Sequence, residues 1–212
     1  MPSMSLSWVR IIGAVALLSL AGAARAEGDA ARGASLAYTC LGCHGIDNYK
    51  NVYPTYSVPR LRGQHPNYLV AALKAYKSQE RSHATMHAQA ASFSEQDMQD
   101  VVAFLAGPSL QTGATPRGTP PAKVTEVCVA CHGKDGVGLT PDYPNLAGQH
   151  EDYIKQALHN YKSGVRKNPI MSGMAANLTE QDINELAKYY SSQRPSLCAT
   201  DEIRKLGKCA GL

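Results

Sequence analysis

Cys40, Cys43 and His44 stand in the stretch YTCLGCHG (38–45), and Cys128, Cys131 and His132 stand in EVCVACHG (126–133). Each stretch spells C-x-x-C-H, and three chemistries compete for it. A zinc site wants four ligands, and each motif brings three. A redox dithiol needs only the two cysteines and leaves the histidine idle. Covalent attachment of a c-type haem uses all three residues. Two thiols so spaced reach the vinyl groups on one edge of the porphyrin, and the next residue offers an imidazole nitrogen to the iron. The pattern therefore favours two covalently bound haems, with zinc and thiol redox as the alternatives.

A haem iron held by histidine has a second axial position, and its ligand decides between electron transfer and chemistry at the metal. The candidates are Met86, His83 or His87 in RSHATMHAQAASFSEQD and Met171 or Met174 in NPIMSGMAANLTEQD. Met86 and Met171 are 85 residues apart, and each lies eight residues before Ser94 or Thr179. That shared register selects them as ligands. Met174 and Met98 are expected to fill the core, and His83 and His87 to be exposed loop residues.

The register belongs to a repeat that runs through the chain. VPRLRGQHPNYLVAALKAYKS (58–78) lines up with YPNLAGQHEDYIKQALHNYKS (143–163) at the same offset of 85. FSEQDM (93–98) lines up with LTEQDI (178–183), and the two C-x-x-C-H motifs are 88 apart. Four features in constant order mark a tandem repeat. The expected organisation is a first domain over 27–107, a Gly/Pro/Ser/Thr-rich linker over 108–120, a second domain over 121–194 and a tail over 195–212.

Each copy reads as helical and no segment reads as a strand, so the fold class is all-α. In the first copy, helices are expected from Asp29 to about Thr39, from Pro66 to Lys77 and after a SEQD capping box at 94–97. In the second they are expected from Thr119 to Val129, from Asp152 to Lys162 and after a TEQD box at 179–182. Aromatic side chains other than the 11 Tyr are scarce, with 2 Phe and 1 Trp in 212 residues. Two small helical domains built from such side chains have thin cores, and a large apolar cofactor would fill them.

Residues 1–26 combine a basic Arg10, an apolar run from Ile11 to Ala24 that is too short to span a bilayer, and an ARA cleavage site. They read as a signal peptide, which places the mature protein in the periplasm. Its removal takes Arg10 and Arg25 and brings the formal charge from +4 to about +2. Such a balance argues against a nucleic-acid partner and against a strong membrane patch.

Together the two C-x-x-C-H motifs, the Pro-x-Leu-x-Gly-Gln stretches, the Tyr-bearing helices and the Met residues ahead of the Gln-Asp caps resemble the di-haem cytochrome c4 family across 27–193. The resemblance implies two tandem cytochrome c-like domains, each a few helices around one covalently bound haem. It implies axial pairs His44/Met86 and His132/Met171, with the haems facing each other across the domain interface. With both axial positions filled, the expected role is electron carriage, not catalysis, toward a terminal oxidase or another respiratory partner. Peripheral membrane association is a possible addition. The alternative is the haem subunit of a sulfur-compound dehydrogenase of the flavocytochrome c type.

Two regions depart from that pattern. GIDNYKNVYPTYSV (45–58), with Tyr49, Tyr53 and Tyr56, replaces the shorter GKDGVG kept at 133–138. The tail holds Cys198 and Cys209 outside both repeats, and in an oxidising compartment these read as a disulfide, with a metal or thiol-redox site as alternatives. The positions of Pro59 and Pro144 resemble the family's haem-pocket proline, which implies that they lie beside the histidines and help orient them. Gly63, Gln64, Gly148 and Gln149 are expected to shape the turn before a helix, with contact to the haems as the alternative. Arg60, Arg62, Lys77, Arg81, Lys162 and Arg166 are expected on a solvated face or steering an acidic partner.

Overall fold

The structure is a computed structural model and describes residues 28–53, 55–108, 115–194 and 196–199. The segment expected to be a signal peptide, most of the first half of the expected linker, and Cys209 with the rest of the tail from residue 200 onward lie outside them. Among the described residues there is no strand, only three isolated antiparallel bridges.

The first copy contributes α1 (Ala30–Leu36), α2 (Leu41–His44), α3 (Pro66–Lys77), α4 (Ala84–Ala91) and α5 (Glu95–Ala106). Asp29 caps α1, its carboxylate accepting from the N–H groups of Ala31 and Arg32. The helix stops at Leu36, short of the expected Thr39. It crosses α5 closely, and Gly33 makes the approach possible: a Cβ there would lie 1.9 Å from the carbonyl oxygen of Asp100. Arg32 ties the crossing by ion pairs to Asp97 and Asp100. The core beneath is Val101, Phe104 and Leu105 of α5 with Ala37.

The second copy is built differently at its start. Helical structure begins only at Ala122, not Thr119. Pro120 and Pro121 explain the delay, because a residue before proline is pushed out of the α region. A π-helical segment, Val124–Cys128, then leads into α6 (Val129–His132). Next come α7 (Glu151–Lys162), α8 (Pro169–Ala175) and α9 (Glu180–Ser191). Val124 is fully buried against Ile183, Leu186, Ala187 and Tyr190 of α9.

The two expected capping boxes are present. Ser94 and Thr179 each accept from the N–H of an aspartate three residues on, Asp97 and Asp182, whose carboxylates reach back to the cap N–H. Two helices were not legible beforehand: α4 and α8, which carry Met86 and Met171. They are eight and seven residues long, and neither has a clean apolar period. Their capping residues are His83 and Asn168, again 85 apart: His83 Nδ1 accepts from Met86 N–H at 3.3 Å and Asn168 Oδ1 from Met171 N–H at 3.0 Å.

The copies meet around a quasi-two-fold relation. Gln64 donates to the carbonyl of Asn145 at 3.0 Å and accepts from its N–H at 2.8 Å. Gln149 does the same to Arg60, at 3.0 Å for both bonds. Arg60 and Asn145 are themselves equivalent at offset 85, so the contact is isologous, as between two subunits. The glutamines thus correct the expectation of a purely local role. Each does accept from the following histidine N–H, but its main work is to join the copies.

Candidate haem sites

Each C-x-x-C-H lies at the start of a one-turn helix, and its histidine ends that helix. His44 and His132 are both buried. His44 Nδ1 lies 2.9 Å from the carbonyl of Pro59, and His132 Nδ1 lies 3.0 Å from that of Pro144. A carbonyl can only accept, so each Nδ1 carries the proton and each Nε2 keeps its lone pair for a metal. The prolines act as expected, through their carbonyls. Burial pushes the His44 imidazole down to about 4, against the pull of the Pro59 bond. His132 is lowered for the same reason. Both rings are therefore neutral at neutral pH, the form that binds iron.

Cys40, Cys43, His44 and Met86 line a single cavity in the first copy, walled by Leu61, Leu73, Phe93 and Val101. In the second copy Cys128 and Met171 sit half-buried against the apolar cluster of Ile183, Leu186 and Tyr190. Four donor side chains of the haem kind, two thiols, an imidazole and a thioether, thus converge on an apolar cavity, and the residues present fit the group. The rival chemistries fit less well. Among the described residues no three His, Cys, Asp or Glu side chains gather to hold a metal ion. Burial also pushes the Cys40 thiol up and the Cys128 thiol up to about 11, opposite to the low-pKa thiolate of a redox dithiol.

The other ligand candidates are elsewhere engaged. His83 uses Nδ1 as the α4 cap. His87 sits on α4 with Nδ1 2.9 Å from the Tyr76 carbonyl. Neither is an exposed loop histidine, because α4 includes or is capped by them. Met98 is core, as expected, but Met174 is not: it is 49% exposed on the outer side of α8. Of the loop tyrosines, Tyr56 lines the cavity, while Tyr53 is almost fully exposed. Cys198 is disulfide-bonded, and its backbone exchanges hydrogen bonds with Arg62. Its expected partner, Cys209, lies outside the described residues.

Arg81 and Arg166 contradict their expected surface role. They are 8% and 7% exposed, because both lie on the turn where the two copies touch. A signal for this was available: both arginines, and Tyr68 and Tyr153, recur at offset 85, unlike Arg60 and Arg62.

Residues 30–108 match the cytochrome c family model, and residues 119–189 match the model described as cytochrome c oxidase, cbb3-type, subunit III. Cytochrome c4 of Pseudomonas aeruginosa is 34% identical over 188 residues, which cover 81% of this chain and 92% of that protein. The solved cytochrome c4 of Acidithiobacillus ferrooxidans is 32% identical, with a TM-score of 0.58 over 74% of this chain and 99% of that one. The thiosulfate dehydrogenase TsdBA of Marichromatium purpuratum is 26% identical, with a TM-score of 0.61. The match covers 76% of this chain and 40% of that one.

Proposed function

The chain belongs to the cytochrome c4 family, and from that premise we propose that it is a periplasmic electron carrier that exchanges electrons with a terminal oxidase or another respiratory partner. It carries two covalently bound c-type haems. When bound, each supplies a one-electron couple between ferrous and ferric iron. In this reading Cys40 and Cys43 hold one haem and Cys128 and Cys131 the other, through thioether bonds. His44 with Met86, and His132 with Met171, take the axial positions.

The observation that carries the proposal is the arrangement in the first cavity. The two cysteines, a histidine with its Nε2 free and a methionine face the same apolar space. The prolines lock the imidazoles in one tautomer. The short N-caps His83 and Asn168 hold the backbone of each methionine at the first turn of its helix. The apolar walls exclude water, which favours the less charged ferrous state. With two protein ligands on each iron, no position is left for a substrate.

The test is the absorption of the ferric protein. Two low-spin haems with a methionine–iron charge-transfer band of two-haem intensity are expected. A high-spin haem would sink the assignment of two closed sites. The similarity to a thiosulfate dehydrogenase supports a second reading, a haem protein that accepts electrons from a sulfur-compound dehydrogenase. Stopped-flow oxidation by a terminal oxidase, set against reduction by a thiosulfate dehydrogenase, separates the two partners.

A further inference from the structure

Pro59 and Pro144 act on the histidines through a carbonyl, and that carbonyl is one end of a peptide group. The other end is the N–H of the next residue, Arg60 in the first copy and Asn145 in the second. A peptide group is planar and moves as one body. The proline ring locks φ at about −65°, so the direction of the carbonyl is set by the tilt of this one peptide. Whatever holds its N–H therefore helps to aim its oxygen at the imidazole.

In both cases the holder is a glutamine of the other copy. Asn145 N–H donates to Gln64 Oε1 at 2.8 Å, and the Pro144 carbonyl lies 3.0 Å from His132 Nδ1. Arg60 N–H donates to Gln149 Oε1 at 3.0 Å, and the Pro59 carbonyl lies 2.9 Å from His44 Nδ1. Two relays thus cross the junction in opposite directions. One runs from Gln64 through the 144–145 peptide to His132, the other from Gln149 through the 59–60 peptide to His44. Neither amide can be turned around. Each Oε1 also accepts from the N–H of the following histidine, at 3.0 Å for His65 and 3.1 Å for His150. Each Nε2 donates at 3.0 Å to the carbonyl of the residue its oxygen grips. A reversed amide would set N–H against N–H. Both glutamines are buried, so water does not compete for these bonds.

Hydrogen bonds in series polarise one another. A peptide whose N–H is bound carries a more negative oxygen, which is a stronger acceptor for the imidazole N–H. A stronger bond at Nδ1 makes the lone pair at Nε2 more basic, and a more basic axial imidazole favours ferric over ferrous iron. We propose that Gln64 and Gln149 are positioning residues for the axial histidine of the opposite copy, and that they set its donor strength through the shared peptide. The inference rests on the assignment of His44 and His132 as haem ligands and goes beyond it. Each half of the chain tunes the potential of the haem held by the other half.

The test is a redox titration of the holoprotein followed by NMR, in which the haem methyl resonances report each iron separately. Gln64→Leu removes the amide and is expected to raise the midpoint of the second haem, with little change at the first. Gln149→Leu is expected to do the reverse. In the ferrous protein the Nδ1–H of His132 should exchange faster in Gln64→Leu, and that of His44 in Gln149→Leu. Gln64→Glu keeps an oxygen for the Asn145 N–H and is expected not to raise the midpoint. Gln64→Asn and Gln149→Asn only withdraw the amide, and are expected to give smaller shifts in the same direction as leucine. They serve where a leucine variant fails to fold. Equal shifts at both haems, a shift confined to the haem of the mutated copy, or unchanged midpoints would each overturn the crossed relay. The unmodified protein separates that failure from failure of the ligand assignment. If it has two low-spin haems with the methionine–iron band, and the variants show no crossed shift, only the relay falls; a high-spin haem there sinks the ligand assignment and the relay with it.

Discussion

The two copies hold the loop after their histidine in opposite ways. In the second copy the loop is tied down by its own final helix: Tyr189 donates to the carbonyl of Lys134 at 2.7 Å and Tyr190 to that of Gly133 at 3.3 Å. The corresponding residues of the first copy are Phe104 and Leu105, which have no hydroxyl to donate. Its longer loop is instead held from across the interface. Asp152 of α7 accepts from the N–H and the hydroxyl of Ser57 at 3.1 and 2.9 Å, and pairs with Lys50 at 3.1 Å. The second copy ties this loop mainly from within, with a cross-copy contact from His65 Nε2 to the Gly138 carbonyl at 3.3 Å, and the first copy leans more heavily on its neighbour. A repeat can thus keep the same chemistry in both halves while shifting part of the structural support of one half onto the other. The drift of residues 45–58 is physically tolerable because α7 supplies what α5 does not.

The largest expected effects test where the copies are the same. Met86→Ala and Met171→Ala are each expected to remove about half of the methionine–iron band and to lower strongly the midpoint of one haem. A variant that abolishes the whole band, or none of it, would break the equivalence. The next effect tests where they differ in packing. Gly33→Val drives a side chain into the backbone of α5, at a cost of about 3 kcal/mol or more. Only the first copy has this crossing, since the residue at the matching distance from the second motif is Pro121. Thermal unfolding followed at each haem should show the loss in the first copy first; equal losses would mean that the copies unfold as one unit.

The loop ties come third. Asp152→Ala should speed amide exchange in residues 47–57 although it lies in the other copy, and the paired change Tyr189→Phe with Tyr190→Phe should speed it in 133–138. Each is expected to cost about 1–2 kcal/mol. Protection of 47–57 that survives Asp152→Ala would remove the contrast drawn above. The smallest effect is a pH dependence. The Ser94 hydroxyl and N–H, with Arg32, hold the Asp97 carboxyl down at about 2, against an ordinary value of about 3.9 in an unfolded chain. Its contribution to stability is present above about pH 4 and is lost as pH falls through about 2. Asp182 is lowered by its own box, with no arginine beside it. Asp97→Asn should therefore flatten acid unfolding in that window more than Asp182→Asn does.

Much of the site was legible because it is local or periodic. The C-x-x-C-H motifs, the Gln-Asp caps and the register of Met86 with Met171 all lie within a few residues or a constant offset. The placement of Pro59 and Pro144 beside the histidines followed from the family resemblance, and the structure shows that their carbonyls make the contact. The N-cap residues His83 and Asn168 were less legible, because one role is filled by two unlike side chains and only the 85-residue spacing links them. Met174 was misplaced for a related reason: a methionine near a candidate haem ligand has the composition of core, but α8 turns it outward.

Sequence by itself determined the repeat, the all-α class, the two haem motifs and the order of their candidate ligands, since helix caps and covalent motifs act over a few bonds. Tertiary structure decided what happens between the copies. Gln64 and Gln149 bridge rather than merely turn, and Asp152 holds a loop 95 residues away. Arg81 and Arg166 are interior rather than solvated. A side chain's electrostatic role depends on what replaces water around it. For these residues the replacement comes from the other half of the chain, at distances that no local pattern records.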